Sequence, residues 1–171
     1  MPSLSVTSRL ADEKYADHAR WIGVIIANWS ILESELEGIY RVVLGLDYDR
    51  SKINFYAIQN WVTKRDIISA TLEHLYPATS ILKDWKDVQS ELKKATEMRN
   101  NAAHAIWAES PINKTLQMRR THSQGVYSRP KKSYSVNNLR QNAQYIAAVA
   151  GKLNLIQQQM RPAPPPPASS P

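Results

Sequence analysis

The sequence predicts an all-α protein, an up-and-down bundle of four to five helices, on three observations. Glycine is scarce, five in 171 residues, while 43% of the chain is hydrophobic, a balance that favours helices over a turn-rich sheet. Apolar residues recur in alternating steps of three and four along four stretches, as a helix burying one face requires. Gly45, Pro77 and Pro111 fall where three of those stripes stop, and both residue types end helices.

A first helix is expected from Asp12 to Leu44, with Ile22, Ile25, Trp29, Leu32, Leu36, Ile39 and Val43 as its stripe. It is long for a globular helix, which leaves room for a break between Tyr15 and Arg20. A second helix is expected over Ile53–Leu75, with Ile58, Trp61, Val62, Arg65, Ile68, Leu72 and Leu75 on one side. A third begins at Thr79 or Ser80, either of which can cap it, and runs to Trp107. Its inner positions are Leu82, Trp85, Val88, Leu92, Ala95, Ala102 and Ile106.

Residues 115–136 change character, with Thr, Val, Tyr and Ser around Ser123-Gln124-Gly125. They read as a short basic β-hairpin or loop inserted before the last helix. That helix should span Val136–Gln159, capped by Ser135 and buried through Leu139, Ala143, Ile146, Ala150, Leu153 and Ile156. Residues 1–11 form an N-terminal arm and 12–160 one helical domain. Residues 161–171, with four consecutive prolines from Pro164, should be a disordered Pro-rich tail, since they can bury nothing.

Charge is distributed unevenly. The formal net charge is +7, yet Ser110–Pro171 holds nine basic residues and no acid, while the preceding residues hold 13 basic and all 15 acidic ones. A basic back half suits a polyanionic partner, nucleic acid first among them, although basic surfaces without a ligand are common. Without cysteine there is no disulfide framework, thiolate metal site or cysteine nucleophile. His18, His74, His104 and His122 lack zinc-site spacing, so no metal and no cofactor is expected. So few glycines also leave no phosphate-binding glycine loop. The apolar run Trp21–Ala27 is too short to span a bilayer, and Met1–Arg20 does not read as a secretory signal. A cytoplasmic protein with no membrane association is expected.

The end of the third helix carries the chemistry. With Arg99 set at zero and about 100° per residue, Leu92 lies at about +20° and Val88 at about −20°. A guanidinium therefore occupies the middle of an apolar stripe, with Asn100 and His104 one turn apart on the adjoining flank. Two readings are open. Arg99 can pair with Glu33, Glu37 or Glu73 as a structural ion pair. Alternatively Arg99 binds a phosphate, Asn100 orients it and His104 moves a proton.

Arg99-Asn100-x-x-x-His104 resembles the R-x4–6-H motif of the HEPN superfamily, with the polar residue directly after the arginine. Trp29-x-x-x-Glu33, the continuation Ala103-His104-Ala105-Ile106-Trp107, and a closing helix after an extended insertion are similar to bacterial HEPN-like proteins. The resemblance covers Trp21–Met160. It implies a homodimer in which two motifs meet, and a metal-independent endoribonuclease in which a ribose 2′-OH attacks the adjacent phosphate. Arg99 would stabilise the scissile phosphate, His104 transfer protons and Asn100 position both. It also implies a toxin–antitoxin or defence setting with an antitoxin or other partner protein. The alternative is a catalytically inactive HEPN-like module that binds RNA, a nucleotide or a protein. Toxins of the superfamily paired with nucleotidyltransferase antitoxins often carry Tyr two residues after the histidine. Ile106 stands there instead.

Beside that site, Arg119, Arg120, His122, Arg129, Lys131 and Lys132 interleave with Tyr127 and Tyr134. Cations to follow a phosphate backbone and a tyrosine to stack on a base would make this an RNA-binding segment. A solvated loop is the other reading. Glu33 and Glu37, one turn apart, are read as ion-pair or solvated carboxylates, the five tryptophans as core or dimer contacts, and His18 and His74 as surface residues.

Overall fold

The structure, a computed structural model, describes residues 13–109, 116–119 and 132–160. A 3-10 turn, Glu13–Tyr15, leads into α1 (Ala16–Val43), followed by α2 (Tyr48–Ala57), α3 (Trp61–Leu75) and α4 (Ser80–His104). Three short strands come next, β1 (Ile106–Glu109), β2 (Leu116–Arg119) and β3 (Lys132–Ser133), and then α5 (Val136–Met160). The architecture is the expected all-α bundle with a small insertion before its last helix. The N-terminal arm, Asp12, the loop centre at Ser123-Gln124-Gly125 and the Pro-rich tail lie outside the described residues.

The ends of α1 fall where local chemistry puts them. The expected break is the passage from the 3-10 turn into the α-helix at Tyr15–Ala16. At the other end Gly45 has φ +61°, a conformation that costs glycine nothing. Its N–H bonds the Val42 carbonyl at 3.2 Å, and the Leu46 N–H bonds the Arg41 carbonyl at 3.1 Å. This pair of bonds is a Schellman closure, which satisfies carbonyls the helix would otherwise leave open.

The single helix expected over Ile53–Leu75 is in fact two, α2 and α3. Asp47 caps α2 by accepting the Arg50 N–H at 2.9 Å. Asn60 caps α3 by accepting the Val62 N–H at 2.8 Å, and Ile58 between them is extended. A side-chain acceptor at Asn60 competes with the continuing helix, and the hydrophobic pattern does not register that competition. The break moves the buried face as well: Lys64, Ile68 and Leu72 are buried on α3, while Val62 and Leu75 are exposed.

Helix α4 begins as expected, with Thr79 as the cap: its Oγ1 accepts the Leu82 N–H at 3.4 Å. It ends at His104, three residues before the expected Trp107. Ile106 therefore belongs to no helical stripe; it opens β1 and pairs with Arg119 of β2. The β-branched and aromatic pair Ile106-Trp107 favours an extended chain once a partner strand is present. The expected hairpin forms as β2 and β3, antiparallel with Gln117 opposite Ser133, and β1 adds a third strand. Ser135 caps α5 in a reciprocal pair, its Oγ accepting the Asn138 N–H at 3.1 Å while Asn138 Oδ1 accepts the Ser135 N–H at 3.2 Å.

The chain forms two compact units, Met1–Leu32 with Ser90–Ala150 and Glu33–Gln89 with Gly151–Pro171. In the first, Ile25, Trp29, Leu32, Leu92, Ala95, Leu139, Ala143 and Ile146 are buried. Asn28 Nδ2 donates to the Ala143 carbonyl at 2.9 Å, and His18 Nε2 meets the Tyr134 carbonyl at 3.3 Å. These two contacts make α1 and α5 run in the same direction. His18 is thus half-buried and not the surface residue expected, whereas His74 is exposed.

In the second unit Leu36, Ile39, Phe55, Ile68, Leu72, Trp85 and Leu153 are buried. Ser69 is its polar joint. Its hydroxyl accepts from Trp85 Nε1 at 3.0 Å and Gln89 Nε2 at 2.9 Å, and donates to the Arg65 carbonyl at 2.9 Å. Glu33 and Glu37 of α1 are used structurally here: Glu33 pairs with buried Lys64 at 3.6 Å, and Glu37 accepts from the Ser51 hydroxyl.

Two stability predictions follow from these contacts. Ser69→Ala leaves the Trp85 and Gln89 donors without an acceptor and is expected to cost about 1–3 kcal/mol in urea unfolding. Three helical glycines should respond differently to alanine. A Cβ on Gly23 or Gly151 meets nothing within 4 Å, but on Gly38 it would lie 2.2 Å from Nε2 of buried Gln157. Gly23→Ala and Gly151→Ala should each gain about 0.5–1 kcal/mol. Gly38→Ala should lose about 1 kcal/mol, because overpacking outweighs propensity. Melting temperatures of the three variants check the order.

Candidate functional site

The candidate site is built on the last turns of α4. Ala95 and Ala102 are buried on that helix, and Arg99 between them is half-buried, so the stripe position inferred for it is correct to within the length of its side chain. The stem of an arginine can lie on apolar surface while its head reaches outward. Here the guanidinium carbon stands 5.7 Å from the ring centroid of Trp29 on α1, an indole only 5% exposed. A buried ring face attracts a cation through its quadrupole and holds the guanidinium plane.

The head group then meets both of its expected neighbours. Arg99 Nη1 donates to Asn100 Oδ1 at 3.0 Å and lies 3.1 Å from His104 Nε2. Asn100 and His104 are exposed. Arginine has only donors, so in this contact Nε2 takes the acceptor role. With its oxygen occupied by Arg99, Asn100 presents its amide nitrogen as the remaining donor of the group. The three residues brought together by the sequence pattern are therefore one hydrogen-bonded cluster at the helix terminus.

The structural ion-pair reading of Arg99 is not what forms. Among the described residues no carboxylate pairs with it. Each of the three carboxylates considered for it has another partner: Glu33 has Lys64, Glu37 has Ser51, and Glu73 has Lys86 at 3.3 Å. The Nε of Arg99 is buried and has no hydrogen-bond acceptor among the described residues, a condition that costs about 1–3 kcal/mol. An un-neutralised guanidinium beside an imidazole nitrogen is an arrangement suited to an anion whose oxygens accept from the arginine while the imidazole exchanges a proton.

The turn beyond the cluster is fixed by Trp107, one of the tryptophans read from the sequence as core or dimer contacts. It is 8% exposed, its Nε1 donates to the Ala102 carbonyl at 3.4 Å, and its ring meets Tyr134 edge-on at 5.8 Å. The carbonyl of Ala102 is one that the helix end leaves open. Trp107 thus ties β1 back onto the last turn of α4, two residues from His104.

Of the expected RNA-binding segment, Arg119 ends β2 and Lys132 begins β3. Arg120, Tyr127, Arg129 and Lys131 lie outside the described residues. The charge asymmetry nevertheless acquires a structural meaning. The segments of the first unit, which holds the Arg99 cluster, carry 13 basic and six acidic residues, while those of the second carry nine of each. Among the described residues the balance is eight basic to five acidic in the first unit and eight to nine in the second.

Among the described residues no group of three or more histidine and carboxylate side chains is placed to hold a metal ion. No helix among them is long and apolar enough to cross a membrane. Comparison with protein-family models, curated proteins and solved structures gave no match.

If Arg99 is held by an aromatic face rather than by a carboxylate, an apolar side chain of equal length should replace it at small cost to folding. Arg99→Met is expected to change unfolding free energy by less than about 1 kcal/mol, and His104→Ala, at an exposed position, by less than about 0.5 kcal/mol. A loss of about 3 kcal/mol or more in Arg99→Met, read by urea titration, would restore the ion-pair reading.

Proposed function

We propose that the chain is a HEPN-like, metal-independent endoribonuclease that acts as a cytoplasmic homodimer in a toxin–antitoxin or defence system. The observation that carries this reading is the contact of Arg99 with His104 Nε2 at 3.1 Å on an exposed helix end, with no carboxylate partner for the arginine among the described residues. The charge of the surrounding unit supports the choice of RNA as the polyanion.

In the proposed reaction the ribose 2′-oxygen attacks the adjacent phosphorus, and the 2′-hydroxyl proton passes to an imidazole nitrogen. A bond from O2′ to phosphorus forms and the bond from phosphorus to O5′ breaks. The 5′-oxygen leaves with a proton, giving a 2′,3′-cyclic phosphate and a 5′-hydroxyl. Arg99 neutralises the charge that develops on the non-bridging oxygens, and Asn100 keeps the guanidinium and the phosphate in register. The chain supplies one His104, so the two proton transfers suit a second copy that brings its own. Neither the antitoxin nor another partner protein is needed for the chemical step. Their place in the reading rests on the HEPN resemblance.

The test is incubation of the purified protein with single-stranded RNA in excess chelator, with the product ends identified. Cleavage to cyclic-phosphate ends is expected, falling about 10²–10⁴-fold in His104→Ala and about 10²–10³-fold in Arg99→Ala. Equal cleavage by His104→Ala, or none by the unaltered protein, sinks the ribonuclease. Salt-sensitive RNA binding without cleavage would instead assign the inactive binding module.

A further inference from the structure

A second pairing of arginine with tryptophan lies on α1, away from the Arg99 cluster but in the same compact unit. The guanidinium carbon of Arg20 is 5.9 Å from the ring centroid of Trp21, and that of Arg140, from the second turn of α5, is 6.0 Å away. Both arginines are exposed and the indole is half-buried. Among the described residues neither arginine has an ion-pair partner. The acids nearest in sequence to Arg20 are Asp17 and Glu13, and α5 contains no acidic residue at all.

Three features separate this group from an ordinary solvated surface. Tryptophan is the aromatic face on which cations and bases rest most strongly. Arg20 stands beside Trp21 on α1, and tertiary packing brings Arg140 of α5 to the same ring, so two guanidiniums without ion pairs among the described residues meet there. The packing there is fixed: Asn28 Nδ2 donates to the Ala143 carbonyl at 2.9 Å, locking α1 to α5 one turn beyond Arg140. A flat face between two planar cations is suited to a nucleobase flanked by phosphodiesters. The base displaces one guanidinium from the ring, and that guanidinium then becomes available to a phosphate.

We infer that Arg20, Trp21 and Arg140 form a binding station for single-stranded RNA, a base stacking on Trp21 and the two arginines taking the phosphates on either side. This rests on the reading of the protein as one that acts on RNA and adds a subsite to it. Trp21 and Trp29 are eight residues apart on α1, about 12 Å along its axis. Both stations therefore belong to one stretch of α1.

The test measures binding and not cleavage. Fluorescence anisotropy of a labelled oligouridylate is followed with the full chain carrying His104→Ala, at several salt concentrations. Adding Trp21→Ala should weaken binding by about tenfold or more, with Trp21→Phe restoring most of the loss. Arg20→Ala with Arg140→Ala should weaken it and flatten the slope of log affinity against log salt by about 1.4, two phosphate contacts at about 0.7 each. Unchanged affinity and slope in the double arginine variant, whose side chains are exposed and whose fold is checked by its melting temperature, overturn the inference. So does polyglutamate competing as well as oligouridylate of equal charge, since stacking would then contribute nothing. The ribonuclease reading fails separately. Loss of binding in these variants alongside an uncleaved substrate keeps the station and removes the enzyme. Cleavage with undiminished binding removes the station alone.

Discussion

A guanidinium resting on a buried indole, with no carboxylate paired to it among the described residues, is the interaction on which the candidate site depends. Trp29 offers its face to Arg99 from the buried side of α1, where Ile25 and Leu32 are fully buried. Once Trp29 is fixed, Arg99 has a defined position. Its Nη1 then reaches Asn100 and His104 without a partner from another helix. The usual way to tolerate a half-buried arginine is to give it an acid, and that would also cancel the charge an anion needs. An aromatic face stabilises the cation while leaving the charge in place.

The carboxylates considered as partners for this cation are occupied by other residues. Glu33, Glu37 and Glu73 are each occupied, by Lys64, Ser51 and Lys86, within the unit whose charges balance. Burial together with Glu33 and Glu37 pushes the Tyr56 phenol above its ordinary value, as expected where negative charge is concentrated. Among its described residues the other unit carries eight basic and five acidic side chains. Such an excess costs self-repulsion and gives no packing in return, so its concentration in the unit holding Arg99 and His104 accords with a polyanionic partner there.

Most of the helical framework was legible in the sequence because burial imposes a period. Ile25, Leu32, Leu92, Leu139 and Ile146 were read as inner residues and are buried, and the Ser135 cap and the Gly45 stop act as local chemistry requires. The misses have physical causes. Asn60 divides the expected second helix because a side-chain acceptor captured the Val62 N–H, and apolar spacing carries no information about capping. Helix α4 stops at His104 because Ile106–Glu109 found strand partners in residues 116–119, a long-range pairing invisible to a local pattern. His18 was taken for a surface residue because its contact, the Tyr134 carbonyl, is 116 positions away.

The sequence by itself determined the class of fold, the helical periods, the order of the Arg99, Asn100 and His104 side chains along one helix flank, and the location of the excess charge after residue 109. These follow from backbone geometry and composition, which are local. Only tertiary structure decided that Arg99 rests on Trp29 and not on a glutamate, that each candidate glutamate is taken by another residue, and that Arg140 joins Arg20 at Trp21. Those outcomes depend on which helix faces pack together, and packing is settled by the burial of whole apolar stripes rather than by the preferences of the charged residues they carry with them.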